Sequence, residues 1–386
     1  MTHIPLATLV AAAVLVATAG AGAGIATRDA PPIDLLQTAA PQSPRAADQL
    51  MTSLVHAGTR LVAAGARGTI VYSDDGGLHW QQAAVPVAVM LTALHFPTAK
   101  EGWAVGHDGI ILHSADAGAT WSRQFDGNQA NTQMLEWART RVAAARDALE
   151  RIGKGDRRAA EDTLAAAEDG LAGIEQTVSF GPSQPFMQVW FRDRRHGYAV
   201  GAFGMAFATT DGGATWTLIA DRLPNPDELH LYAIASPSPE VLLIAGERGL
   251  ILRSTDGGQH WQARHDLAAG GLYGLIALPQ ANAGMLAYGF DGIVLRSTDL
   301  GNSWHTVDTG TRSALYGAAV SGEEVLLVGN NGTRLRAVDA HFEPLPASDG
   351  RPLTAAAHGA AGWVLAGGGG VAATAGTPPM GVERDE

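Results

Sequence analysis

Gly65-Ala66-Arg67-Gly68-Thr69-Ile70-Val71-Tyr72-Ser73-Asp74-Asp75-Gly76-Gly77-Leu78-His79-Trp80 joins a Gly-x-x-Gly turn to a short apolar run and then to Ser-x-Asp-x-Gly-x-x-Trp. The closing phrase, here Ser73, Asp75, Gly77 and Trp80, returns four times. Ser114, Asp116, Gly118 and Trp121 repeat it, as do Thr209, Asp211, Gly213 and Trp216. Ser254, Asp256, Gly258 and Trp261 follow, then Ser297, Asp299, Gly301 and Trp304. The Gly pair is more frequent still, at Gly65/Gly68, Gly106/Gly109, Gly201/Gly204, Gly246/Gly249, Gly289/Gly292, Gly329/Gly332 and Gly367/Gly370. Spacing near forty residues with several short strands per unit is the mark of a β-propeller blade, and seven pairs imply seven blades.

The repeated phrase has a mechanical reading. Its Asp accepts hydrogen bonds from the N–H groups of a turn, its Gly supplies positive φ, and its Trp covers the turn between blades. Residues present in every blade are scaffold, so these Asp-box positions are structural rather than catalytic.

One step, from Gly106 to Gly201, is too long by about one repeat. Over residues 129–178 the apolar period changes from two to about three and a half. Leu135, Val142, Leu149 and Ile152 make one stripe, and Leu164, Ala167, Leu171, Ile174 and Val178 another. Gly153-Lys154-Gly155-Asp156 separates them, with Asp156 a candidate N-cap. The fold class is therefore all-β: a seven-bladed β-propeller of Asp-box repeats with an inserted antiparallel helical hairpin. The stripes can satisfy one another, which predicts a separable appendage.

The ends read differently. Residues 1–26 lack Lys, Arg, Asp and Glu and carry the apolar run Leu6–Thr18, as a secretory signal peptide or an uncleaved N-terminal anchor would. The propeller spans 31–376 and a charged tail 377–386. The last repeat offers three strands, so the apolar patch at Ile33–Gln37 is expected to supply the outer strand that closes the ring. The chain is expected outside the cytoplasm, in the periplasm or otherwise exported.

Composition narrows function. A formal charge of −12 opposes nucleic-acid binding, and without cysteine there are neither disulfides nor thiolate metal sites. The histidines are scattered, so no metal and no small-molecule cofactor is expected. A sialidase-like glycoside hydrolase or glycan-binding propeller is an alternative on Asp boxes alone, but the Phe/Tyr-Arg-Ile-Pro phrase of sialidases is missing and no Tyr has a motif-placed Glu partner. Catalysis is not expected. An accessory subunit of an envelope transporter is a further alternative.

Phe96-Pro97-Thr98-Ala99-Lys100-Glu101-Gly102-Trp103-Ala104-Val105-Gly106 and the matching stretch Phe191–Gly201 resemble the Phe…Gly-Trp-Ala-Val-Gly phrase of the photosystem II assembly and stability factors. The resemblance covers Ile33 to Ala375 without the hairpin. It implies an exported seven-bladed propeller that holds the precursor of a reaction-centre subunit and aids its assembly. The partner would then be a segment of a membrane or envelope protein. The expected surface is the face of the Gly-x-x-Gly turns. Tyr232, Tyr273 and Tyr316 open the first strands of three consecutive blades there, and Arg67, Arg248, Asn330 and Asn331 occupy the turns. Aromatic and guanidinium groups around a concavity suit a peptide or carboxylate anchor. Arg253, Arg296 and Arg336 precede the Asp-box position and belong toward the opposite face.

Overall fold

A computed structural model describes residues 33–152, 157–265, 267–278, 284–338, 341–346 and 349–374. The strands form seven sequential antiparallel sheets, six of four strands and a last one of three. Their inner strands are Met51–Ala57, Leu91–His95, Phe186–Phe191, Leu231–Ser238, Leu272–Ala277, Leu315–Ser321 and Leu353–Gly359. Each packs on the inner strand of the next blade, and the seventh packs on the first. The seven-bladed propeller is thus present, and its core lies in apolar layers between neighbouring blades. Trp103, stacked on Phe191 with centroids 3.6 Å apart, fills the layer between blades 2 and 3.

The Gly pair sets the inner geometry. Its first Gly pairs with the buried residue that opens the inner strand, as Gly65 does with Met51. A Cβ on Gly65 would stand 2.0 Å from the Leu50 carbonyl oxygen, so only glycine fits. The register then skips one residue, a β-bulge, in every blade. The skipped residues are Thr52, Thr92, Met187, Tyr232, Tyr273, Tyr316 and Thr354. A bulge re-aims the side chain it carries. The three threonines use this freedom to bind the next blade: Thr52 Oγ1 donates to the Leu91 carbonyl, Thr92 Oγ1 to Phe186 and Thr354 Oγ1 to Met51, each at 2.7 Å.

The Asp boxes close the turns between third and fourth strands. In the first, the Ser73 hydroxyl donates to Asp75 Oδ1 and accepts from the Gly77 N–H, Leu78 and His79 N–H donate to the same carboxylate, and Trp80 Nε1 donates to the Gly77 carbonyl. These donors hold the Asp75 carboxyl well below the usual range, the His79 N–H most of all. In the third box Trp216 Nε1 has no partner among the described residues.

Ring closure departs from the sequence expectation. Ile33–Gln37 is no strand. Asp34 caps a turn there, with Leu36 N–H on its carboxylate and Gln37 N–H on its carbonyl. The segment lies beside blades 1 and 2: Ala88 N–H donates to the Leu35 carbonyl, and Leu36 joins Val85 and Val87 in the core. Three apolar residues around an aspartate make as good a turn plug as a strand, and Asp34 decides. The seventh sheet keeps three strands among the described residues. The 3₁₀ turn Ala46–Asp48 lies against its edge, and Met51, Leu54 and Leu61 pack on Ala357, Val364 and Ala366 across the seam.

The insertion is the expected hairpin, helix α1 at Gly127–Ile152 and helix α2 at Arg158–Ser179. The loop with Asp156 lies outside the described residues, as do residues 1–32 and the tail. The hairpin is not a free appendage. Its outer half is held by a small cluster of Val142, Ala145 and Ala167 with Leu164 and Leu171, but Ala130, Met134, Ala138 and Ile174 belong to one core with Phe125, Phe207 and Trp216 of the blades. Gln133 also completes the short outer strand of blade 3: its Nε2 donates to the Trp216 carbonyl at 2.8 Å and its Oε1 accepts from the Leu218 N–H at 2.9 Å. Apolar stripes in sequence do not tell helix partners from sheet partners, and here they serve both.

Candidate interaction surface

In an antiparallel meander, consecutive turns lie at opposite ends of the sheet. The Gly-x-x-Gly turns therefore share one end of the axis with the links between blades, opposite the Asp boxes. Each of the first six turns holds its third residue at positive φ: Arg67, Asp108, Phe203, Arg248, Asp291 and Asn331, between 52° and 56°. That backbone aims side chains of four kinds from six equivalent positions.

Tyr232, Tyr273 and Tyr316 come together. Tyr232 and Tyr273 meet edge to face with centroids 5.4 Å apart, and Tyr273 and Tyr316 lie tilted at 6.0 Å. The row runs on through residues the sequence did not single out: His230 lies 6.1 Å from Tyr232, and Phe203 lies 4.6 Å from His230. Phe203 N–H donates to His230 Nδ1 at 3.0 Å, which holds the two rings together. The signal for Phe203 was present, since an aromatic residue at a left-handed turn position is unusual and has a cost. Gly271 lets the rings close: a Cβ there would come within 3.0 Å of both Tyr232 and Tyr273. Phe290 stands exposed beside the row, packed over Gly270.

The result is a lopsided rim. Blades 7, 1 and 2 carry stapling threonines at the bulge, and blades 4, 5 and 6 carry tyrosines. Burial, the Glu247 carboxylate and the Tyr273 phenol together push the Tyr232 pKa up to about 12, and burial with Tyr316 raises Tyr273. The Tyr232 and Tyr273 phenols therefore stay neutral at any physiological pH. Phe203, Phe290 and Tyr316 are three of the most exposed large apolar side chains of the blades, at 54%, 51% and 39%. Contiguous exposed aromatic surface of this kind marks an interaction site.

The arginines do not form the expected patch. Arg67 and Arg248 are both exposed and have no ion-pair partner among the described residues, but they stand on blades 1 and 4, across the ring from each other. Asp108 and Asp291 hold the equivalent places between and beyond them, and Arg312 neutralises Asp291 through two hydrogen bonds of 2.9 and 2.8 Å. Equivalence in a repeat is not adjacency in a ring. Asn331 is exposed and Asn330 half-buried, on the blade of Tyr316. Of the second row, Arg253 Nε donates to the Leu300 carbonyl inside the next Asp box, Arg336 pairs with Glu343, and Arg296 Nε is buried.

Beside Phe203 the surface opens into a cavity of about 590 Å³ between the hairpin and blade 3. Among the described residues no group of His, Asp or Glu side chains could hold a metal ion, and no helix is long and apolar enough to cross a membrane.

Fold and repeat define the class as an Asp-box β-propeller. A family model described as Photosynthesis system II assembly factor YCF48 matches residues 55–131 and 174–323, more than half of the chain, and the chain belongs to that family. The family carries the name of an assembly factor and not of an enzyme, in line with the sequence reading. The unmatched stretch between the two segments is most of the hairpin. The photosystem II assembly lipoprotein Ycf48 of Synechococcus sp. (strain CC9902) is 41% identical over 75 residues, 19% of this chain and 22% of that protein. The chloroplastic stability/assembly factor HCF136 of Arabidopsis thaliana is 35% identical over 65 residues, 15% of this chain and 16% of that protein. The matches thus span about a fifth of these relatives' length. Two solved structures share the fold at 14% identity: YCF48 bound to D1 peptide, with a TM-score of 0.56 over 84% of this chain and 92% of that one, and YCF48 from Cyanidioschyzon merolae, with 0.58 over 86% and 97%.

Proposed function

We propose that this chain is an exported assembly factor that holds a segment of a membrane or envelope protein across the Gly-x-x-Gly end of its axis. The observation that carries this reading is the continuous row Phe203, His230, Tyr232, Tyr273 and Tyr316, half-buried to exposed at the mouth of the ring. Rigid amphipathic rings with neutral phenol donors suit an extended peptide whose backbone and apolar side chains both need partners. That a YCF48 has been solved with a D1 peptide supports a peptide as the ligand class. Export rests on the uncharged residues 1–26 and on the lipoprotein name of the Synechococcus relative.

The test compares two faces. Tyr273→Ala with Tyr316→Ala removes the exposed part of the row, and Arg253→Ala with Arg296→Ala alters the third strands toward the Asp boxes. Native membranes of the source cell are passed over each immobilised variant. The first pair should lose the captured envelope protein and the second should keep it; the reverse result refutes the assignment.

A further inference from the structure

The cavity beside Phe203 has a second chemistry. We infer that it is a docking cleft for an apolar protein segment bearing one arginine or lysine side chain, built jointly by the hairpin and blade 3. This shares with the proposed function only the premise that this face takes a protein partner.

The floor is apolar: Met134 and Ile174 from the hairpin, Met205 and Leu218 from blade 3, and Leu223 from the link to blade 4. The polar groups around it are predominantly acceptors. Asp169 of α2 and Glu228 of the link line the cleft, and neither has an ion-pair partner among the described residues. Asp221 accepts from Trp137 Nε1 at 2.6 Å, which leaves its second oxygen open. Gln184 Oε1 is buried at the cleft without a hydrogen-bond partner among the described residues. The one lining cation, Arg141, lies over the Trp137 ring at 4.6 Å from its centroid. Three carboxylates against one guanidinium give the lining a net negative charge, with the Gln184 amide oxygen a further open acceptor. A ligand that satisfies them is cationic, and the floor requires it to be apolar beside the charge.

A cavity near 590 Å³ has the size of a site for a few side chains. A chain segment fits better than a lone amine because the cleft is open at Phe203, whose ring belongs both to this wall and to the aromatic row. Glu228 is held at φ 50°, a conformation glutamate rarely adopts, by a loop in which Asn225 bonds both backbone groups of Leu229. Most of the hairpin wall lies outside the stretches matched by the family model, whereas the wall from blade 3 and the link to blade 4 lies inside them.

The test uses a displayed library of random twelve-residue peptides panned against the full chain. Asp169→Asn with Glu228→Gln serves as the cleft variant, and Tyr273→Ala with Tyr316→Ala as the row variant. Both cleft residues are exposed, so the variant keeps its fold. The expected result is enrichment of peptides with an arginine or lysine flanked by apolar residues. They should bind the cleft variant at least tenfold more weakly and the row variant unchanged, with affinity falling as salt rises. Absence of any enriched peptide, enrichment of acidic or uncharged ones, or equal binding to the cleft variant overturns the inference. So does a dimer of the full chain that the cleft variant breaks, since the occupant would then be a second copy. Loss of envelope-protein capture by the row variant together with no cationic peptide dependent on the cleft leaves the proposed function standing while this inference falls, and the converse pattern separates them the other way.

Discussion

Replacing Gln133 by Met isolates the polar clamp that holds the hairpin to the propeller. Met keeps the length and the apolar stem but has no amide. Two hydrogen bonds disappear, one from Nε2 to the Trp216 carbonyl and one from the Leu218 N–H to Oε1. The backbone groups they leave lie in and just before a two-residue outer strand, Thr217–Leu218. At ~0.5–1.5 kcal/mol net for each bond, the hairpin base should be destabilised by about 1–3 kcal/mol. The loss is local, because Met134, Ala138 and Ile174 still pack beneath it. Amide exchange reads this directly: the Leu218 N–H and the first turns of α1 should exchange roughly ten- to a hundredfold faster, while blades 5 and 6 keep their protection. Unchanged exchange at Leu218 would show that the apolar contacts alone dock the hairpin and that the clamp is incidental.

Three further outcomes follow from particular side chains. Thr354→Val removes the staple from blade 7 to the fully buried Met51 carbonyl and should cost about 1–2 kcal/mol in urea unfolding, with Thr354→Ser retaining most of it; a loss below about 0.3 kcal/mol would place ring closure in the apolar seam alone. His95 accepts from the Phe191 N–H through Nδ1, and burial pushes its pKa down to about 4, so the unfolded chain takes up a proton that the folded chain refuses between pH 6.5 and 4. Stability should therefore fall across that window, by at most ~3 kcal/mol from this group, and His95→Gln should flatten that part of the pH profile. Phe203→Asn places a residue suited to positive φ where an exposed ring now sits; it should raise stability by about 0.5–1 kcal/mol while weakening partner capture, and a variant that is no more stable would mean the ring offsets its own backbone cost.

Much of the fold could be read from the chain because its signals are local and repeated. The Gly pair, the Asp box and the change of period at the hairpin each depend on neighbours within a few residues. The parts that were not legible depend on distant contacts. Ile33–Gln37 has strand-like composition, but the Asp34 cap and the contact with Val85 and Val87 make it a turn against the wrong blades for the expected role. Arg67 and Arg248 look like partners because the repeat aligns them, and the ring then sets them on blades 1 and 4. The tyrosines could be predicted to meet because their blades are consecutive. Phe203 and His230 could not, since their contact joins a turn of blade 3 to the link before blade 4. Gln133 is one polar residue on an amphipathic helix, and nothing near it in sequence points to the strand it completes.

The central claim is that the aromatic row at the Gly-x-x-Gly end, and not the Asp-box end, holds the partner. A photo-crosslinking benzoylphenylalanine placed at Tyr273 and, separately, at the exposed Leu78 of the first Asp box measures this in the intact source cell. The expected result is a single envelope-protein segment joined at position 273, identified by mass spectrometry, and no such product at position 78. The same product from position 78 alone would contradict the account.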